Sequence, residues 1–97
     1  MKVRRAAKWQ ESVDDRILEH LSEEPWSSAR HMATLPSIHA TEAQVKDRCC
    51  RLADVGLVAW FDDNALDLVE LTTEGQLYLD GELDVDLYPN PRKFRSY

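Results

Sequence analysis

The chain has 97 residues, of which 43% are apolar and 31% are charged, with three glycines and four prolines. A chain of this length and composition forms one compact domain, which excludes a two-domain enzyme and an extended disordered segment. The formal net charge of −6 argues against a protein that is basic over its whole surface.

The first helix is predicted to start at Ser12, whose side chain can cap it, with Asp14 and Asp15 in the first turn where the helix dipole favours acids. Apolar residues then recur at helical spacing and form one buried face. Pro25 cannot continue the helix, so we expect it to end at about Glu24 and Trp26 to pack back onto the core. The residues of the buried face are Val13, Ile17, Leu18 and Leu21.

A second, short helix is predicted after Ser27 or Ser28, either of which can cap it. Its inner face consists of Ala29, Met32 and Ala33. The helix is expected to end at Leu35, because the residue before Pro36 is pushed out of helical space.

The third helix is predicted over residues 41–55. Thr41 and Gln44 have the spacing of a capping box, which marks the helix start. Gly56 is well placed to end the helix. A buried stripe follows the spacing i, i+4, i+7 and i+10 at Val45, Cys49, Leu52 and Val55.

Two strands are predicted at residues 57–61 and 66–71, with turn-forming residues at Asp62, Asp63 and Asn64 between them. Thr72 or Thr73 can cap a fourth helix, which returns Leu77, Tyr78, Leu79 and Leu83 to the core. The predicted fold class is therefore mainly α with a small β-hairpin. The order helix, helix, helix, strand, strand, helix is that of a winged helix-turn-helix domain.

Charge is distributed unevenly and divides the chain into three parts. The first eight residues contain four basic residues and no acid, and Arg92, Lys93 and Arg95 follow the last acid. Between Leu52 and Asn90 there are ten acids and neither Lys nor Arg. We therefore predict a basic arm at 1–10, the folded domain at 11–84 and a basic tail at 85–97. The many acids and the excess of Arg over Lys resemble proteins of salt-loving archaea.

Three segments resemble the haloarchaeal phage phi-H repressor-like family: DRILE at 15–19, RCCRLADVGL at 48–57 and LTTEGQLYLDGEL at 71–83. The similarity extends from about Trp9 to Leu83. It implies a DNA-binding transcriptional regulator that is a repressor, acts as a homodimer on double-stranded DNA and needs no cofactor.

In a winged helix the N-terminal half of the third helix enters the major groove. This places Thr41, Ala43, Gln44, Asp47 and Arg48 as candidate base contacts, with Gln44 suited to adenine and Arg48 to guanine. The candidate phosphate contacts are Lys46 and Arg51 on the same helix and Arg4, Arg5 and Lys8 in the basic arm.

A different interpretation explains the same residues. The exposed side of the third helix can be a solvated surface on which Asp47 pairs with Arg51. The acidic hairpin and the fourth helix would then make the chain a winged-helix protein-interaction module with little or no DNA binding. Asp47 and the acidic turn favour this alternative, whereas Gln44, Arg48, Arg51 and the basic arm favour DNA.

Other function classes find no support in the sequence. No phosphate-binding glycine loop, catalytic serine motif or metal-ligand spacing is present, so neither an enzyme nor a metal site is predicted, and no small-molecule effector is evident. Cys49 is expected in the core, whereas Cys50 is a more exposed thiol. The longest apolar run has five residues and no apolar stretch follows the basic N-terminus, which predicts a cytoplasmic protein without a membrane span.

Overall fold

The computed structural model describes residues 11–63 and 66–83. The predicted basic arm and basic tail lie outside the described residues, as does the centre of the predicted hairpin turn. The predicted order of elements is confirmed. In chain order the elements are α1 (Ser12–Glu23), α2 (Ala29–Met32), α3 (Glu42–Asp54), β1 (Val58–Asp63), β2 (Leu66–Leu71) and α4 (Thr73–Leu79).

Helix α1 has the predicted start but a different cap. Its N-cap is Glu11 rather than Ser12. The Asp14 carboxylate accepts a hydrogen bond from the Glu11 backbone N–H at 3.0 Å, and the Asp14 N–H donates to the Glu11 carbonyl at 3.0 Å. These two bonds close the first turn on Glu11, so the predicted Ser12 cap is wrong.

Helix α2 has the predicted start but an earlier end. The Ser28 hydroxyl accepts a hydrogen bond from the His31 N–H at 3.1 Å. The helix ends at Met32, with Ala33 as its C-cap, before the expected end at Leu35. A turn in which the Leu35 N–H donates to the Met32 carbonyl follows it.

The hairpin pairs β1 with β2 in antiparallel register, with Val58 opposite Leu71 and Phe61 opposite Leu68. Strand β1 continues through Asp63, so the acids predicted to form the turn at 62 and 63 belong to the strand instead. Ser27 adds an unpredicted third segment to the sheet, since its backbone exchanges hydrogen bonds of 2.9 and 2.8 Å with Val69.

Helix α4 closes the core against α1. The Thr72 hydroxyl accepts a hydrogen bond from the Gly75 N–H at 3.1 Å and so caps the helix. Tyr78 is fully buried, and its hydroxyl donates to Asp15 on α1 at 2.6 Å. Buried apolar residues from all four helices, from both strands and from their connections form one cluster: Ile17, Leu18, Leu21, Ala29, Met32, Ile38, Val45, Cys49, Leu52, Val55, Leu57, Val58, Val69 and Tyr78.

Candidate nucleic-acid interface

Helix α3 is fixed against the core by one side and exposes the other. The predicted stripe is confirmed, because Val45, Cys49 and Leu52 are fully buried and Val55 is 6% exposed. After the helix, Gly56 adopts a φ of +84°, a conformation that favours glycine and turns the chain into the hairpin. The exposed residues of the first turns are Glu42, Ala43, Gln44, Lys46 and Asp47.

The start of α3 is held by the predicted capping box. The Gln44 N–H donates to the Thr41 hydroxyl at 3.2 Å, and the Thr41 N–H donates to Gln44 Oε1 at 2.8 Å. Thr41 and Gln44 are thus both exposed and both already engaged. A bond to adenine through both amide atoms would use the second lone pair of Gln44 Oε1 or release the Thr41 N–H.

Two ion pairs within α3 neutralise its exposed charges. Lys46 Nζ lies 3.7 Å from Glu42 Oε2, and Arg51 Nε donates to Asp47 Oδ2 at 3.1 Å. The i, i+4 pair of the alternative interpretation is therefore present. These four residues give the exposed side of α3 no net charge, which distinguishes it from the basic surface expected of a strong phosphate binder.

Arg48 does not face outward with the other candidate base contacts. It is 6% exposed, and its Nε and Nη2 donate to the two carboxylate oxygens of Asp14 at 2.8 Å each. Its Nη1 lies 3.4 Å from Glu11 Oε2. The guanidinium is directed at the start of α1, whereas the predicted guanine contact needs it to face outward.

The hydrogen bonds from Arg48 to Asp14 raise the pKa of the guanidinium above its ordinary value, while burial opposes them. A basic group whose pKa rises on folding contributes stability below its unfolded pKa and loses that contribution only as the pH rises through the folded pKa. Arg48 therefore stays charged throughout the neutral range. The titration of Arg48 therefore adds no pH dependence to the stability of the fold in the neutral range.

The spacing of apolar residues contains the signal for this contact. Asp14 precedes Ile17, Leu18 and Leu21 at i+3, i+4 and i+7, which places it on the buried face of α1. Arg48 follows Val45 by three residues and precedes Leu52 by four, which places it on the buried stripe of α3. Opposite charges at buried positions of two packed helices predict an ion pair between them.

A cleft of about 480 Å³ lies between the start of α1 and the first turns of α3. Glu11 lines one side, Gln44 and Asp47 line the other, and His39 belongs to the loop that leads into α3. Glu11, which lines this cleft, is the first residue that the structure describes. The cleft therefore borders the N-terminal half of α3, where base contacts are predicted.

One exposed cation was missed by the sequence prediction. Arg30 lies on α2, on the side away from the buried Ala29 and Met32. Within residues 11–63 and 66–83 it forms no ion pair, in contrast to Lys46 and Arg51. The helical spacing of Ala29 and Met32 was the signal that placed Arg30 outward.

The sheet has an aromatic outer face. Trp26 is 58% exposed and Phe61 is 53% exposed, so the prediction that Trp26 packs into the core is wrong. Ser27 and Trp60 both pair with Val69, whose side chain lies on the inner face. Side chains alternate between the two faces of a sheet, so the neighbouring Trp26 and Phe61 lie on the outer face. Trp60 is partly buried and packs against the core.

The residues that the structure describes form neither a metal site nor a membrane-spanning helix. There, no group of three or more His, Cys, Asp and Glu residues could hold a metal ion. Cys49 is buried and Cys50 is half-buried, and they form no disulfide with each other. No helix among the described residues is both long and apolar enough to cross a membrane.

Three helices followed by a two-stranded hairpin and a fourth helix, with one side of α3 exposed, define a winged helix-turn-helix domain. The chain belongs to the winged helix-turn-helix phage repressor family, whose sequence pattern matches residues 3–89. This confirms the predicted resemblance and fold class, and it makes the chain a regulator of the DNA-binding kind.

A solved structure supports the same assignment. The chain is similar to the PhiH1 repressor-like protein from Haloarcula marismortui, with 30% sequence identity and a TM-score of 0.84. The similarity covers 93% of this chain and 99% of that chain. A comparison with curated proteins finds no match.

Proposed function

We propose that the protein is a sequence-specific transcriptional repressor that binds double-stranded DNA as a homodimer in the cytoplasm. The observation that carries this proposal is the placement of α3, whose buried stripe fixes the helix while Gln44 and Asp47 stay exposed on its N-terminal half. This half of the helix is the part that contacts base edges in winged-helix complexes. Thr41 and Ala43 lie beside them and complete the proposed base-contacting surface.

The phosphate contacts are proposed at the borders of α3. Lys46 and Arg51 can exchange their intrahelical carboxylates for phosphate oxygens, which bind Arg and Lys through charge-assisted hydrogen bonds. Arg30 extends this set to α2, the first helix of the helix-turn-helix pair. Arg4, Arg5 and Lys8, which precede α1 in the sequence, supply further positive charge for phosphate contacts.

The second candidate function is the winged-helix protein-interaction module. The charge balance of α3 favours it, because Glu42 and Asp47 neutralise the exposed cations of that helix. In this case the acidic hairpin and α4 contact a partner protein. DNA binding would then be weak at every ionic strength.

Selection of bound sequences from a random duplex pool separates the two functions. We expect the purified protein to enrich a palindromic motif at low salt and again at about 1 M salt, where the Debye length is about 3 Å and only close contacts remain effective. A palindrome would report a dimer with two equivalent half-sites. If no motif is enriched at either salt concentration, the repressor proposal is wrong and the interaction module takes its place.

Lys46→Ala is expected to weaken binding to all duplex sequences by a similar factor. Loss of one phosphate contact should reduce the slope of log affinity against log salt by about 0.9. Arg16→Ala is the matched control, because Arg16 also forms an exposed intrahelical pair, with Glu19 at 2.6 Å, but lies on α1. A salt slope that falls equally in both variants would assign the effect to net charge and exclude a contact by Lys46.

Arg30→Ala is expected to have the same kind of effect as Lys46→Ala, because both are proposed to contact the backbone. The bound motif should stay the same while the salt slope falls by about 0.9. Titration of the selected duplex over a range of salt concentrations measures both quantities. An unchanged slope would place α2 away from the DNA and leave α3 and the arm as the contacting elements.

A further inference from the structure

We propose that Arg48 is a positioning residue for the DNA-binding surface. Its ion pair with Asp14 sets the orientation of α3 relative to the start of α1, and thereby places Gln44 and Asp47 against the base edges. This inference rests on the proposed DNA-binding function and assigns to a buried residue the control of sequence selectivity.

The geometry of the pair fixes an orientation as well as a distance. Two donors of one planar guanidinium bond two oxygens of one carboxylate, each at 2.8 Å. Such a fork-to-fork contact restrains rotation, whereas apolar side chains at the same position can slide past one another. Gln44 lies one helical turn before Arg48 and Asp47 lies directly before it, so a rotation of α3 at Arg48 moves both residues.

Asp14 is itself held in place. It is fully buried, and the carboxylate oxygen that binds Arg48 Nη2 also accepts the Glu11 backbone N–H at 3.0 Å. Glu11 is the N-cap of α1, and its own carboxylate lies 3.4 Å from Arg48 Nη1. The ion pair therefore ties α3 to the start of α1.

Stability alone does not explain an ion pair at this position. Replacing a buried pair by apolar residues of similar volume often leaves a protein as stable as before or makes it more stable. What an apolar pair does not supply is the directional two-point bond. Base contacts demand placement within about 0.5 Å, whereas contacts with the regularly spaced phosphates are more tolerant. Loss of the pair should therefore affect selectivity more than general DNA affinity.

The test compares the wild type with Arg48→Met and with the double variant Asp14→Leu/Arg48→Met. The double variant removes one positive and one negative charge, so its net charge and its long-range attraction to DNA are unchanged. Melting temperature and the dissociation constants for the selected duplex and for a random duplex are measured in one buffer. The control is Arg16→Met/Glu19→Leu, which makes the same change at an exposed pair on α1.

We expect Arg48→Met to melt at a lower temperature and the double variant to recover most of this loss. The double variant should bind the selected duplex at least about tenfold more weakly than the wild type, a loss within the range of a single base contact. Its affinity for the random duplex should stay within about twofold. The control pair should behave as the wild type does on both duplexes.

Two results would overturn the positioning role: a stable double variant that binds the selected duplex within about twofold of the wild type, or equal losses on both duplexes. If the double variant fails to recover its melting temperature, Arg48→Lys is used instead. Lysine keeps the positive charge but cannot form the two-point bond to the Asp14 carboxylate. Retained sequence selectivity in Arg48→Lys would then overturn the proposal. A wild type that selects no motif overturns the proposed function itself, and the positioning role with it.

Discussion

Replacing Asp14 by alanine is expected to lower the free energy of unfolding by about 3 to 5 kcal/mol. The Asp14 side chain is fully buried and accepts two hydrogen bonds from Arg48, which is itself 6% exposed. Without this carboxylate the guanidinium stays in the core and loses its nearest counter-charge. Small domains have only about 5 to 15 kcal/mol of stability, so this single change places folding at risk. Urea denaturation monitored by circular dichroism measures the difference in the free energy of unfolding between the wild type and Asp14→Ala.

Asp47→Ala is the matched control, because it also removes a carboxylate from an arginine on α3. Asp47 is exposed and its partner Arg51 lies one turn away, so the expected loss is below about 1 kcal/mol. Raising the salt concentration should remove the small Asp47 effect and leave the Asp14 effect, since buried pairs are screened much less. Similar losses in the two variants would show that Arg48 reaches solvent when Asp14 is absent.

The elements of the fold could be predicted because their signals are local. Thr41 and Gln44 form the expected capping box, Thr72 caps α4, and β2 has the predicted bounds of residues 66 and 71. The error at Ser12 is also local and concerns a competing cap. Ser12 is a better capping residue than Glu11 by propensity, but the bond from the Glu11 N–H to Asp14 decides the start of α1.

The candidate site was predicted less well, because its geometry depends on contacts between distant residues. Arg48 was placed on the exposed side of α3 by its charge, although its spacing from Val45 and Leu52 put it on the buried side. Its partner Asp14 lies 34 residues earlier in the chain. Only the packing of α1 against α3 brings the two together.

Trp26 was predicted in the core but is exposed, the reverse of the error made for Arg48. A large aromatic residue after a helix-ending proline is expected in the core, but the pairing of Ser27 with Val69 directs the neighbouring Trp26 to the outer face of the sheet. The pairing is a backbone contact between segments 42 residues apart, and no side-chain pattern announces it. Burial predicted from residue type alone is therefore unreliable where an extra segment joins a sheet.

Gly75→Ala is the second substitution with a large expected effect. In an exposed helix, replacing glycine by alanine stabilises the protein by about 1 kcal/mol. Here a Cβ at position 75 would overlap the backbone carbonyl oxygen of Leu57, and it would also lie 2.6 Å from Leu71 Cδ1. The carbonyl belongs to the turn between α3 and the hairpin, so relief requires α4 or this turn to move. We expect a loss of about 1 to 3 kcal/mol or more, which is the cost of overpacking a core.

Gly56→Ala separates this steric effect from a conformational one. A Cβ at position 56 meets no atom within 4 Å, but the residue has a φ of +84°, which costs a non-glycine residue about 1 to 2 kcal/mol. Gly56→Asn should recover part of that loss, because asparagine tolerates the left-handed region, whereas Gly75→Asn should be worse than Gly75→Ala. Thermal unfolding of the four variants measures this pattern. A Gly75→Ala protein as stable as the wild type would show that α4 can withdraw from the Leu57 carbonyl without loss of core packing around Tyr78.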